Sequence, residues 1–133
     1  PNQVHYTANM ERNIDTSGIL TMDYSGFKAV SIAAKDCAAP ARYVIQGTKG
    51  YILQKSTANR CGGVTFHPNE GKEEHYNLNG GRPRQAAEFE VFARAMETGD
   101  QELCTRMQDT SIAVSRVLTV ARRTAGVRFP GDR

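Results

Sequence analysis

The sequence predicts an α+β domain, a largely antiparallel open sheet covered on one face by C-terminal helices, with the other face open for association. Three observations predict it. Strand-like segments fill the first 80 residues, and from Pro83 the apolar spacing changes from two to about 3.6. Between them, Ala41 to Leu53 reads ARYVIQGTKGYIL, two short apolar runs around Gly47-Thr48-Lys49-Gly50. That is the pattern of a β-hairpin with a glycine-bearing turn.

Val4 to Met10 has strand composition. Gly18 to Tyr24 alternates, with Leu20, Met22 and Tyr24 on one side and Ile19, Thr21 and Asp23 on the other. Ser25-Gly26 turns the chain into a strand from Phe27 to Asp36. There Lys28, Val30, Ile32 and Ala34 share one face, and the small residues of the other face suit close approach of a helix or sheet. Val64 to Phe66 and Glu74 to Leu78 are short enough for strands at the sheet edge, separated by turn chemistry.

The first helix is expected from Pro83, which suits a first helical position, to Gly99, a good C′ residue. Its stripe is Ala86, Phe89, Ala93 and Met96, with Phe92 beside it. Asp100 then caps a second stretch whose stripe continues through Leu103, Met107, Val114, Val117, Leu118 and Ala121. A break near Asp109–Ser111 is one option, because all three residues there are good caps. Both stripes must be buried, and the sheet is the candidate surface. The uncovered face, with Val30 and Ile32, would be an exposed apolar patch, and self-association into a symmetric dimer is the commonest use of one.

Composition narrows the function classes. The 133 residues, 39% hydrophobic and 23% charged, suit one globular domain, 1–133. No apolar run approaches the roughly 20 residues that span a bilayer, so no membrane role is expected. The net charge is +3, and every basic residue after Gly81 is an arginine interspersed with acids. That favours a solvated helix surface over nucleic-acid binding. Cys37, Cys61 and Cys104 are odd in number and lack CxxC spacing, which favours a reducing cytoplasm; Cys104 is expected to be a small buried residue. Pro1 in first place points to processing or a cut boundary, although excision of an initiator methionine would look the same.

No complete active site is legible. No GxGxxG follows a strand, and Gly47-Thr48-Lys49-Gly50 lies between strands, where a plain turn is favoured over a phosphate loop. Cys61, His67 and His75 are weighed as metal ligands and set aside, since their spacing fits no compact motif. Catalytic, cofactor-binding and metal residues are therefore assigned to none. Lys35, Asp36 and Cys37, at the end of a strand on a rigid scaffold, are the candidate substrate-binding residues. Solvation of the strand end is the competing reading.

Tyr43-Val-Ile-Gln-Gly-Thr-Lys-Gly-Tyr-Ile52 is similar to the strand, Gly-Thr-Lys-Gly turn and strand of the glucose–fructose oxidoreductase, inositol dehydrogenase and rhizopine-catabolism family (Gfo/Idh/MocA). A hairpin from Gly18 to Asp36, Glu88-x-x-x-Phe92 in a helix, Ser111 to Leu118 in the last helix and the ending Ala125-Gly-Val-Arg-Phe-Pro130 match in order. The chain thus resembles the C-terminal domain of that family, without its N-terminal Rossmann domain. The resemblance implies a parent enzyme using NAD or NADP on a sugar, polyol or related hydroxylated metabolite. It implies that this domain contacts the small-molecule substrate and forms a homo-oligomer through its open sheet. The family's catalytic lysine, aspartate and histidine precede the region matched, so none maps to a position here, and the chain alone is expected to be inactive and free of cofactor. A stand-alone, non-enzymatic dimeric binding or scaffold module is the alternative.

Overall fold

In the computed structural model, residues 1–57 and 59–132 are described. Its elements are β1 (Gln3–Glu11), β2 (Ile14–Asp23), β3 (Lys28–Ala34), β4 (Tyr43–Gly47), β5 (Gly50–Gln54), β6 (Val64–Pro68), β7 (Glu74–Tyr76), α1 (Ala86–Thr98) and α2 (Gln101–Thr124). The α+β class and antiparallel pairing agree with the sequence. The strands form two sheets, however, with orders β1-β2-β3 and β4-β5-β6-β7. The chain divides into two compact units, Pro1–Ala38 with Gly99–Arg133, and Ala39–Thr98.

In the first unit β1 and β2 are joined through Arg12 and Asn13, both left-handed at φ 51° and 64°. This is the geometry of a two-residue hairpin turn whose twist matches the strands, and Asn tolerates it well. The register then sets Tyr6 opposite Leu20, Thr7 opposite Ile19 and His5 opposite Thr21. Ile19 in turn faces Ile32, and Thr21 faces Val30. At the β2–β3 turn the Tyr24 N–H donates to the Phe27 carbonyl at 3.0 Å, and the two rings stack at 4.3 Å.

Directly opposed residues share a face, so the sheet has two distinct sides. On one, Val4, Tyr6, Ala8, Leu20, Met22 and Ala29 are half-buried. α2 packs along β1 at this sheet's edge. The other side presents His5, Thr7, Ile19, Thr21, Val30 and Ile32, all exposed, with Ile32 at 74%.

α2 runs unbroken for 24 residues, about 36 Å at 1.5 Å per residue. Asp100 caps it, its carboxylate accepting from the Leu103 N–H at 2.9 Å. Thr110 and Ser111, which could have ended the helix, donate instead to the carbonyls of Arg106 and Met107 four residues back. Satisfied in this way, they stay inside it. Leu103, Met107 and Val117 are half-buried and Ala121 is buried, while Val114 and Leu118 turn outward. Cys104 is exposed, contrary to expectation, because it stands one position round the helix from Leu103. Past the helix, Arg122 donates to the Val127 carbonyl, pairs with both oxygens of Asp132 and lies 4.3 Å from the Phe129 ring. Val127 is buried beneath this closure.

In the second unit the Gly47-Thr48-Lys49-Gly50 segment is a hairpin turn, as predicted, with Gly47 paired to Gly50. Gly50 has φ 142°, and a Cβ there would lie 2.2 Å from the His67 carbonyl oxygen, so only glycine fits. α1 begins at Ala86 and not at Pro83, because Gln85 is left-handed at φ 71° and cannot join a right-handed helix. The buried side of α1 is Ala95 with half-buried Val91 beside it; Phe89 and Met96, expected to face inward, are 67% and 84% exposed.

Gly18 is a sharp test of this packing. A Cβ at Gly18 would lie 2.3 Å from the Tyr6 ring, whereas one at Gly26 meets nothing within 4 Å. Gly18→Ala is expected to lower stability by about 1–3 kcal/mol through overpacking, and Gly26→Ala to stay within about 0.5 kcal/mol. Urea unfolding midpoints of the two variants check this.

Candidate functional site

Of the residues nominated from sequence, Lys35 enters a cluster, and Asp36 and Cys37 do not join it. The backbone N–H of Lys35 donates to the Thr16 carbonyl at 2.7 Å, extending the β2–β3 ladder by one step. Its ammonium then reaches back across the strand end, donating to the Asp15 carbonyl at 2.9 Å and to an Asp15 carboxylate oxygen at 3.3 Å. Asp36 and Cys37 lie exposed in the bend that follows.

Tyr6 completes the cluster. Its ring crosses the side-chain-free space at Gly18, and its hydroxyl donates to the other Asp15 oxygen at 3.0 Å. The Tyr6 backbone N–H donates to the Thr124 hydroxyl at 3.0 Å, and that hydroxyl donates to the Ala121 carbonyl at 2.8 Å. One residue of β1 is therefore fixed by α2 on one side and by Asp15 on the other. The Tyr6 hydrogen bond and the Lys35 charge hold the Asp15 carboxyl below its ordinary value against a smaller opposing effect of burial. Burial and the same carboxylate raise the Tyr6 phenol. The trio brings a carboxylate, an amine and a phenol together at the end of the β2–β3 ladder.

Tyr6 and Asp15 were not nominated from sequence. No local sequence signal announces them: they meet through the left-handed Arg12-Asn13 turn, which carries no glycine.

The second unit carries a separate aromatic and imidazole face. Tyr51 and His67 oppose each other across β5 and β6, their rings stacked at 4.5 Å. His67 Nδ1 lies 3.3 Å from a Glu73 carboxylate oxygen. His75, opposite Thr65, shares that face, its Nδ1 3.3 Å from the Thr65 hydroxyl. Cys61 is exposed outside the strands. Among the described residues no three His, Cys, Asp or Glu side chains are grouped to hold a metal ion. No helix there is long and apolar enough to cross a membrane.

No family model matches the chain. It is, however, similar to scyllo-inositol 2-dehydrogenase (NADP(+)) IolU of Bacillus subtilis (strain 168), with 24% identity over 123 residues. The resemblance to the Gfo/Idh/MocA family is borne out. The match covers 92% of this chain and 37% of the relative, so the chain spans little more than a third of that protein's length. The relative's name carries NADP(+), and the Gly47–Gly50 segment of the present chain does not fit a dinucleotide. This glycine-bearing segment closes a β-hairpin and does not open a helix, so it offers no amide array to a pyrophosphate.

The Tyr6–Asp15 bond has a pH consequence. A carboxyl depressed by folding stabilises the protein above its unfolded value of about 3.9, and that stability is lost as pH falls through the folded value. Tyr6→Phe is expected to raise the Asp15 value and flatten the loss of stability below about pH 4. Carbon-13 titration of the Asp15 carboxyl, with urea midpoints at several pH values, reads both effects. An unshifted titration would show that the hydrogen bond contributes nothing.

Proposed function

We propose that the chain is the substrate-binding and dimerisation domain of an NAD(P)-dependent oxidoreductase acting on a polyol, sugar or related hydroxylated metabolite. Its match to a third of an NADP-dependent inositol dehydrogenase is the observation that carries this reading. The rest of such an enzyme would hold the nicotinamide, which would supply hydride-acceptor chemistry toward a carbon bearing a hydroxyl. This chain's share of the work is to hold and orient the substrate.

Lys35, with Asp36 and Cys37 in the bend beside it, is the proposed contact region. Asp15 and Tyr6 hold the Lys35 ammonium in place, so it meets a substrate hydroxyl with little further loss of side-chain freedom. For dimerisation, the uncovered face of the β1–β2–β3 sheet has the anatomy of an interface. Ile19, Val30 and Ile32 form an apolar centre, flanked by Thr7, His5, Thr21 and a Lys28–Asp23 ion pair. A cytoplasmic setting is consistent with three free cysteines, all exposed.

Two measurements test the reading. In the whole protein with NADP+ and scyllo-inositol, Lys35→Ala is expected to raise KM at least about fivefold through loss of a charged hydrogen bond, with smaller changes in kcat. Absence of any polyol-dependent NADPH formation over a panel of inositols and sugars would overturn it. Sedimentation of the 133-residue chain is expected to show a dimer that Val30→Glu converts to monomer. A wild-type chain that stays monomeric at all concentrations would remove the interface from the proposal.

A further inference from the structure

We infer that the end of the β4–β5 hairpin remote from its Gly-Thr-Lys-Gly turn is a binding site for a phosphate group. The strand register and the loop after it create it. Tyr43 is paired with Gln54 at the last step of the ladder, and the residues just beyond, Arg42 and Lys55, line the same cavity. The chain then turns, the Arg60 N–H donating to the Thr57 carbonyl at 3.0 Å, and brings a third cation to the same place. Arg42, Lys55 and Arg60 line one open cavity of about 640 Å³, with Leu53, Ser56 and Thr57 among its other walls.

The charge arrangement is unfavourable unless an anion joins it. Like charges gathered around one cavity repel. Among the described residues no carboxylate lines the cavity. Among the described residues none of the three cations forms an ion pair, whereas Arg82, Arg106 and Arg122 each have an acidic partner. The hydroxyls nearby are spent on shaping the loop. Ser56 accepts from Gln54 Nε2 at 3.0 Å and donates to the Arg60 carbonyl, and Thr57 donates to Asn59 at 3.0 Å. What remains for a ligand is a lining of two arginines and a lysine beside apolar residues.

Guanidinium groups bind phosphate through paired N–H donors, and an ammonium adds a point charge. The cavity lies within the range of about 300–1,000 Å³ usual for small-molecule sites. Its apolar wall at Pro40, Ala41 and Leu53 offers a surface to a short carbon skeleton. Phosphate recognition here is independent of the dehydrogenase reading and of the Lys35 region in the other unit.

The test is an NMR titration of the chain at low salt with inorganic phosphate, glycerol 3-phosphate and glycerol. Saturable shifts are expected at the amides of Arg42, Lys55 and Arg60 with both phosphates and none with glycerol. Tighter binding of glycerol 3-phosphate assigns the site to phosphorylated metabolites, and equal affinity assigns it to free phosphate; either upholds the site. Arg60→Gln is expected to weaken binding at least about tenfold, and Arg60→Lys, which keeps the charge, to restore part of it. Circular dichroism establishes that each variant is folded, and Lys55→Gln serves if Arg60→Gln is not. No saturable shift at about 10 mM phosphate or glycerol 3-phosphate, where a millimolar site would be nearly full, overturns the inference. So does tighter, variant-sensitive binding of a single-stranded oligonucleotide, which would make the cations a nucleic-acid surface.

Discussion

Tyr6 joins three parts of the first unit through a single residue. Its backbone N–H is taken by Thr124 at the end of α2, its ring lies where Gly18 has no side chain, and its hydroxyl reaches Asp15. β1 is an edge strand, and an edge N–H without a partner would be left to solvent or to another chain. The Thr124 hydroxyl answers that need and places the C-terminal turn of the helix on the strand. The helix position, the ring position and the Asp15–Lys35 contact thus depend on one another. Loss of the ring would leave a gap over Gly18 as well as an unpartnered carboxylate oxygen.

The two sides of this sheet differ in exposure. Tyr6, Leu20 and Met22 share the half-buried side, and strict alternation sends Ile19, Val30 and Ile32 to the exposed one. Burying a Val or Ile side chain fully is worth about 1.5–3 kcal/mol, so the central cross-strand pair and its neighbour represent several kcal/mol available to a partner. The polar rim limits that gain to a partner that also matches its hydrogen bonds. A two-fold axis lets one patch serve both partners, and on that ground a second copy is the proposed occupant.

Much of the fold was legible because it rests on local signals. The Ser25-Gly26 and Gly47–Gly50 turns, the Asp100 cap and the change of period after Pro83 each act over a few residues, and each produced an element close to its expected place. The two-sheet arrangement was not legible. Period-two alternation shows that a segment is a strand but carries no information on which strand it joins. The starts of β2 and α1 were missed for a related reason. Arg12, Asn13 and Gln85 adopt left-handed backbone without a glycine to announce it. The inward side of α1 was misjudged too, since a helix with Phe89, Phe92 and Met96 on its apolar stripe can still bury only its small residues.

The candidate sites show the same division between local and distant information. Lys35 could be nominated because strand ends on a rigid scaffold carry function, but its partners Tyr6 and Asp15 lie 29 and 20 residues earlier and meet it only through the register. The cationic cavity was hidden by averaging. A net charge of +3 over the whole chain describes a nearly balanced surface, and the arginines after Gly81 are mostly interleaved with acids. Arg42, Lys55 and Arg60 are spread over 19 positions and look like solvated residues in a row of loops. Antiparallel pairing removes that distance: it pairs Tyr43 with Gln54, next to residues 42 and 55, and one turn adds residue 60 to the same cavity. A local excess of positive charge with no acid to oppose it is therefore a product of the fold, and an anion is the partner that such an excess selects.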